Sequence, residues 1–305
     1  MEKTIETKKY EKIAMWMLNM ECNFECPYCF YEDSQRNLKQ KVGCWLMEKV
    51  PALNRYKTEF ISPGAAKEYF DNTGFKWLIV LSGGEPFVYP KFIELVEALG
   101  EKHQVIIGTN LSLPVDKFIE KIKPESVHSF YASLHLGERE RHGLSVDEFL
   151  RKAVKLTRAG FKVEIDYVMY PPLIPRFKAI HDRFQAEGLY VEAKVFRGVY
   201  QGRIYPESFT KEEREMFYDF IPSEVDRAAS FGNLSFKHIP CTAGKNLIRI
   251  FPNGTVTRCP HDSEKLGNLF TGELRLHKKV KECSVPFCKC TLAIKEGCVD
   301  FKKRK

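Results

Sequence analysis

The chain reads as α/β, because strand-like apolar runs alternate with helical patterns from residue 12 to about 197. Six such β/α units imply a parallel sheet curled into a partly closed barrel. Two further observations refine this picture. Three of the later strands carry polar side chains on one face only, and six cysteines collect after residue 240, around a hairpin signal. Strands are predicted over 12–19, 76–82, 104–109, 128–135, 161–169 and 190–196. Helices are predicted over 90–100, 114–122, 145–159 and 175–187. Pro114 and Pro175 suit first helical turns, and Gly160 and Gly188 suit helix ends. No internal repeat or low-complexity segment is found.

The first strand, with the buried run Ile13-Ala14-Met15-Trp16-Met17-Leu18, leads into Cys22-Asn23-Phe24-Glu25-Cys26-Pro27-Tyr28-Cys29. The cysteines therefore sit on a loop leaving a strand's C-terminal end, where α/β folds build active sites. Three thiolates at Cys-x3-Cys-x2-Cys spacing suit one face of an iron–sulfur cubane and leave one iron without a protein ligand. An open metal position is the mark of chemistry rather than electron carriage. By spacing alone, a zinc knuckle is the alternative.

The second strand, Trp77-Leu78-Ile79-Val80-Leu81, runs into Ser82-Gly83-Gly84-Glu85-Pro86. Two glycines let the backbone approach a ligand closely, and the glutamate and exposed carbonyls can accept hydrogen bonds from an ammonium group. This ordered pair of motifs, with Tyr28 just before the last cysteine, resembles the radical S-adenosylmethionine (radical SAM) superfamily. The resemblance implies a partial (β/α)6 TIM-like barrel. It also implies a [4Fe–4S] cluster on Cys22, Cys26 and Cys29, whose open iron chelates S-adenosylmethionine and cleaves it reductively to a 5′-deoxyadenosyl radical. Gly83, Gly84, Glu85 and Pro86 would receive the methionine end, with the amino group on the first three, and Tyr28 would pack near the adenine. An electron donor such as flavodoxin or ferredoxin is implied as partner.

Strand three ends at Asn110. In strands four to six, Tyr131-Ala132-Ser133-Leu134-His135, Lys162-Val163-Glu164-Ile165-Asp166 and Glu192-Ala193-Lys194-Val195-Phe196 alternate at period two. Ser133, His135, Glu164, Asp166, Glu192 and Lys194 are thus expected to line the bowl, or to neutralise one another there. By resemblance, Asn110 and Ser133 match positions that contact the ribose or carboxylate of S-adenosylmethionine, and Lys194 and Arg197 would neutralise that carboxylate. His135 and Asp166 are the candidate acid–base residues.

Beyond a linking stretch with a helix-like Lys211 to Phe220, Cys241 and Cys259 bracket a segment whose Asn253-Gly254 is a hairpin signal. The two cysteines would meet at the hairpin's open end. Cys283, Cys288, Cys290 and Cys298 follow in a loop-rich stretch that needs a metal to hold it. Cys-x12-Gly-x4-Cys resembles the opening of the SPASM/twitch extension, which implies a ligand set for an auxiliary [4Fe–4S] cluster. The last four cysteines depart from the full SPASM pattern, running Cys-x4-Cys-x-Cys-x7-Cys. One cluster is expected, on Cys241, Cys259 and two of the later four, with structural zinc as the alternative. Cys44 is read as a packing residue in a helix. The expected division is 1–200 barrel, 201–240 linking region and 241–305 cysteine-rich cluster domain with a small β-hairpin.

Ten cysteines without a secretory signal argue for metal ligation in a reducing cytoplasm. No membrane span is legible. The net charge of +8 is spread over helices interleaved with acids, and no nucleic-acid module is visible. SPASM/twitch relatives modify peptides or small molecules such as sugars. The first cysteine falls at residue 22, which leaves no room before it for a leader-binding domain and tilts the expectation to a small molecule or a short peptide. A two-electron oxidation is expected; an epimerase or carbon-bond-forming synthase, and a metal-stabilised nucleic-acid-binding module, are the rival readings.

Overall fold

The computed structural model describes residues 10–29, 56–232, 235–286, 288 and 296–299. Cys44 and Cys290 lie outside them. Six parallel strands, Lys12–Met17 (β1), Trp77–Ser82 (β2), Gln104–Thr109 (β3), Val127–Ser133 (β4), Val163–Val168 (β5) and Val191–Lys194 (β6), stand side by side in sequence order. They form a partial-barrel wall that does not close. Ala14, Trp16, Ile79, Leu81, Val105 and Ile107 face the helices and are buried. Ile13, Leu78, Val80 and Ile106 face the other way and belong to a second apolar cluster.

Helices Pro63–Asp71 (α1), Phe92–Gly100 (α2), Asp116–Lys121 (α3), Leu136–Arg141 (α4), Val146–Arg158 (α5) and Phe177–Gln185 (α6) cover the outer face. The Ser145 hydroxyl caps α5 by accepting from the Glu148 amide at 3.0 Å, and the chain turns back at Gly160 with φ +93°. Thr210 and Glu213 form a reciprocal capping box on Lys211–Phe217 (α7). Glu224–Ser230 (α8) follows.

Three helices, α1, α4 and α8, escaped the sequence reading. α1 carries a plain start signal, Ser62 as cap and Pro63 in the first turn. α4 has no apolar period to detect, since its buried residues are Leu136, Glu138 and Arg139. It also shortens the predicted fourth strand: β4 ends at Ser133, and His135 turns into a left-handed conformation (φ +42°) to start α4.

Past β6, the chain forms Gly198–Tyr200 (β7) and Arg203–Tyr205 (β8), then the pair of Pro240–Cys241 (β9) with Lys281–Glu282 (β14). The predicted hairpin is Leu247–Ile250 (β10) and Thr255–Cys259 (β11), turning through Gly254 at φ +75°. It does not stand apart. β10 lies parallel to β1, with Ile13 opposite Leu247 and Trp16 opposite Ile250. Asp262–Asn268 (β12) and Glu273–Leu274 (β13) extend the sheet to ten strands, in the order β13-β12-β11-β10-β1-β2-β3-β4-β5-β6.

His103, at the entrance to β3, is fully enclosed. Its Nδ1 accepts from the Trp77 amide at 3.3 Å and its Nε2 lies 3.2 Å from Asp71 Oδ1. Burial outweighs the Asp71 attraction and holds its pKa at about 4. The unfolded chain takes up this proton first as pH falls, so stability is lost from about pH 6.5 down to about 4, at about 1.4 kcal/mol per unit. Urea denaturation across that range should show a shallower pH slope for His103→Gln than for the wild-type chain.

Candidate active site

The loop after β1 is held from three sides before any cofactor is considered. The Glu25 amide donates to Glu138 Oε2 at 2.8 Å. The Asn23 side chain donates to Ser112 Oγ at 2.7 Å and accepts from Asn110 Nδ2 at 3.0 Å. Within the loop, the Cys29 amide donates to the Cys26 carbonyl at 3.0 Å and the Phe24 amide to Cys22 Sγ at 3.4 Å. Burial pushes the Cys22 thiol up to about 11, so ligation there displaces a proton.

The glycine loop after β2 lies directly on this segment. The Gly84 amide donates to the Asn19 carbonyl at 3.0 Å and the Glu85 amide to the Glu21 carbonyl at 2.8 Å. A Cβ on Gly83 would stand 2.4 Å from the Asn19 carbonyl oxygen, and one on Gly84 1.9 Å from that of Glu21. Both glycines are thus required by the chain's own backbone, besides any ligand. Glu85 points away from the cavity and is 1% exposed. Its carboxylate accepts from the Thr109 hydroxyl at 2.8 Å, the Asn110 amide at 2.7 Å and the Phe87 amide at 3.1 Å. Burial still raises its pKa to about 6 against those donors. Pro86 is buried at the start of a 3-10 turn and likewise does not line the cavity.

These two loops, with the upper ends of β3 to β6, enclose a cavity of about 690 Å³, within the range of small-molecule sites. Cys22, Cys26, Cys29, Tyr28, Gly83 and Gly84 line one side; Asn110, Ser133, His135, Asp166 and Lys194 line the other. Of the six residues expected in the bowl, Glu164 and Glu192 do not reach it. Glu164 pairs with Lys162 at 2.7 Å, and Glu192 with Lys194.

Lys194 also lies 3.3 Å from Asp166 Oδ1. Burial works against its charge, but Asp166 and Glu192 prevail and push its pKa up. Its positive charge is therefore already balanced within the wall. Arg197 donates to the Ala229 and Ser230 carbonyls at 2.6 and 3.0 Å, at the end of α8, and is not among the cavity residues. His135, held to about 4 by burial and then by the Arg139 charge, is a neutral imidazole at pH 7 and only a weak base. Its ring packs by Tyr28, centroids 5.7 Å apart, and Tyr28 packs on Tyr170 at 5.1 Å.

The sequence reading missed the residues that brace this site. Arg139 is fully buried, donates from Nε to the Leu134 carbonyl at 3.0 Å and from Nη2 to the Asn110 carbonyl, and lies over the rings of Phe149 and Phe24 at 4.5 and 5.9 Å. Burial lowers its pKa to about 10. The only sequence signal was a charged run placed directly after a strand end. Tyr131 was read for its strand pattern alone. It lines the cavity and also packs against the second apolar cluster.

That second cluster holds the C-terminal cysteines. Cys241 and Cys298 are buried with Ile13, Leu78, Val80 and Ile106, and Cys259, Cys283 and Cys288 pack against the same cluster. Burial pushes Cys259 up to about 11, and Cys241 contributes to that rise. Among the described residues, neither cysteine set has three side chains gathered around a single metal-ion point. A cubane differs from a single ion in taking each thiolate at a separate corner.

The profile of the radical SAM superfamily matches residues 19–181, more than half of the chain. The chain belongs to the radical SAM superfamily. Membership implies an enzyme that works with an iron–sulfur cluster and S-adenosylmethionine. No curated protein matches. Among solved structures, SuiB of Streptococcus suis bound to S-adenosylmethionine superposes with a TM-score of 0.58 at 16% identity, covering 86% of this chain and 64% of SuiB. The radical SAM chain described here thus spans about 64% of SuiB's length. The anSMEcpe structure with bound AdoMet gives 0.56 at 14% identity, over 84% of this chain and 78% of that one. At such identities the likeness concerns the fold.

Gly84→Ala should cost about 3 kcal/mol or more, as a strongly overpacked contact, because the added methyl meets backbone rather than a movable side chain. Chemical denaturation of the metal-free protein measures this, and Gly64→Ala, where the added carbon meets nothing within 4 Å, serves as the control.

Proposed function

We propose that this radical SAM enzyme holds a [4Fe–4S] cluster on Cys22, Cys26 and Cys29 and binds S-adenosylmethionine in the adjoining cavity. The observation that carries this reading is the single cavity wall shared by the three cysteines and the Gly83–Gly84 loop. When bound, the cluster and S-adenosylmethionine supply a 5′-deoxyadenosyl radical that takes hydrogen from a substrate. The chain's own residues bind and orient. Gly83 and Gly84 present backbone to the methionine end, while Glu85 braces them from behind. Tyr28 flanks the adenine, and Asn110 and Ser133 face the ribose or carboxylate. Asp166 is the candidate base, with Lys194 held against it, and His135 offers a neutral imidazole.

The reading extends to three regions: 1–200 as barrel, 201–240 as link and 241–305 as a SPASM/twitch-like iron–sulfur region. The auxiliary [4Fe–4S] cluster would take Cys241, Cys259 and two of Cys283, Cys288, Cys290 and Cys298. The burial of Cys241 and Cys298 in one cluster with three further cysteines at its edge supports it. The substrate is a small molecule, sugars included, undergoing a two-electron oxidation. A peptide substrate is the second reading, favoured by the structures of SuiB with precursor peptide SuiA and of anSMEcpe with the Kp18Cys peptide. Flavodoxin or ferredoxin would donate the electron. The cysteine usage is read as that of a reducing cytoplasm. Among the described residues no helix is long and apolar enough to cross a membrane.

Anaerobically reconstituted protein given S-adenosylmethionine and dithionite should form 5′-deoxyadenosine, and Cys26→Ala should form none. Absence of product from cluster-loaded wild-type protein would refute the assignment. For the auxiliary site, Cys241→Ala with Cys259→Ala should lower the iron content from about eight to about four atoms per chain, one cubane's worth. Unchanged iron, or zinc in its place, would remove the auxiliary cluster.

A further inference from the structure

We propose that Glu138 is a positioning residue of the cysteine loop, fixing the backbone one residue before Cys26 and setting a negative charge against the loop that would hold the cluster. The inference rests on the assignment of that cluster to Cys22, Cys26 and Cys29. Glu138 is 1% exposed, and burying a carboxylate is costly unless it is paired and hydrogen-bonded. Oε2 accepts from the Glu25 amide at 2.8 Å, a charge-assisted bond to the loop itself. Oε1 lies 3.0 Å from Arg141, whose side chain is 53% exposed, so solvent screens the compensating cation. His142 lies 3.9 Å from Oε2 and stacks on Phe24 of the same loop at 5.4 Å.

The helix carrying this carboxylate is itself fixed. Arg139, the next residue, grips the Asn110 and Leu134 carbonyls at the ends of β3 and β4. α4 therefore transmits the geometry of the barrel rim to the loop, with Arg139 as its anchor and Glu138 as its contact. Two effects follow. Without the bond to Glu25, Cys26 is less firmly held in its buried place. Without the negative charge, an electron added to the cluster is less opposed, so the potential rises; net charge and hydrogen bonding are the protein's main controls on that quantity.

Two variants separate the effects. Glu138→Gln keeps an acceptor oxygen and removes the charge; Glu138→Ala removes both. In metal-free protein, Glu138→Ala should raise the alkylation rate of Cys26 about tenfold, the equivalent of one hydrogen bond to a charged group, and lower the iron taken up on reconstitution. Glu138→Gln should match wild type in both. Its cluster should shift upward in midpoint potential by on the order of 59 mV, a tenfold change in a one-electron equilibrium. Alkylation and iron uptake in Glu138→Ala equal to wild type would overturn the positioning role. An unchanged or lowered potential in Glu138→Gln would overturn the charge role. If instead wild-type protein takes up no more iron than Cys26→Ala, the cluster assignment fails, and the alkylation comparison still judges the contact with Glu25.

Discussion

The site depends on one backbone-to-backbone contact, the seating of Gly83 and Gly84 on the strand exit from Asn19 to Glu21. Two amide-to-carbonyl bonds, from Gly84 to Asn19 and from Glu85 to Glu21, lock the glycine loop to the segment that continues into Cys22. Side chains at either glycine would force these strands' ends apart. Glu85 then secures the other side, drawing the end of β3 in through Thr109 and Asn110. Asn110 in turn holds Asn23 and sits 3.9 Å from Cys22 Sγ. A closed circuit thus joins the ends of β1, β2 and β3, and the three cysteines hang from it.

The charged residues around the cavity divide into those spent on architecture and those left facing it. Glu85, Glu138 and Arg139 are enclosed and have bonds to backbone groups of neighbouring elements. Asp166 and Lys194 reach the cavity as a pair. Since Glu192 also engages Lys194, the group carries two carboxylates against one ammonium. Such a wall orients a polar ligand through hydrogen bonds more than by a large net field.

All six parallel strands were legible in the sequence, as were the two motif loops and the hairpin, because each has a local signature: an apolar run, a cysteine spacing, an Asn-Gly turn. Ser133, His135, Asp166 and Lys194 were placed at the cavity by strand alternation, and Asn110 by the family resemblance. What was not legible had no local signature. α4 buries a glutamate and an arginine, the inverse of the pattern that reveals a helix. The glycines announced close approach without saying to what. Glu164 and Glu192 share the alternating face of Asp166 and Lys194 but stand two residues earlier on their strands, paired with Lys162 and Lys194 and outside the cavity lining. The parallel pairing of β10 with β1 joins distant parts of the chain, and nothing in either strand names the other.

That pairing governs the order in which the molecule can be completed. β1 is synthesised long before β10, one of its two sheet neighbours. Until then the strand that delivers the cysteines exposes a row of unpaired amides and carbonyls beside Ile13 and Met15, the kind of open rim on which chains adhere to one another. A ribosome-bound intermediate therefore holds the barrel wall with its first strand unsealed, and any stop codon ahead of Leu247 leaves that rim permanently available for aggregation.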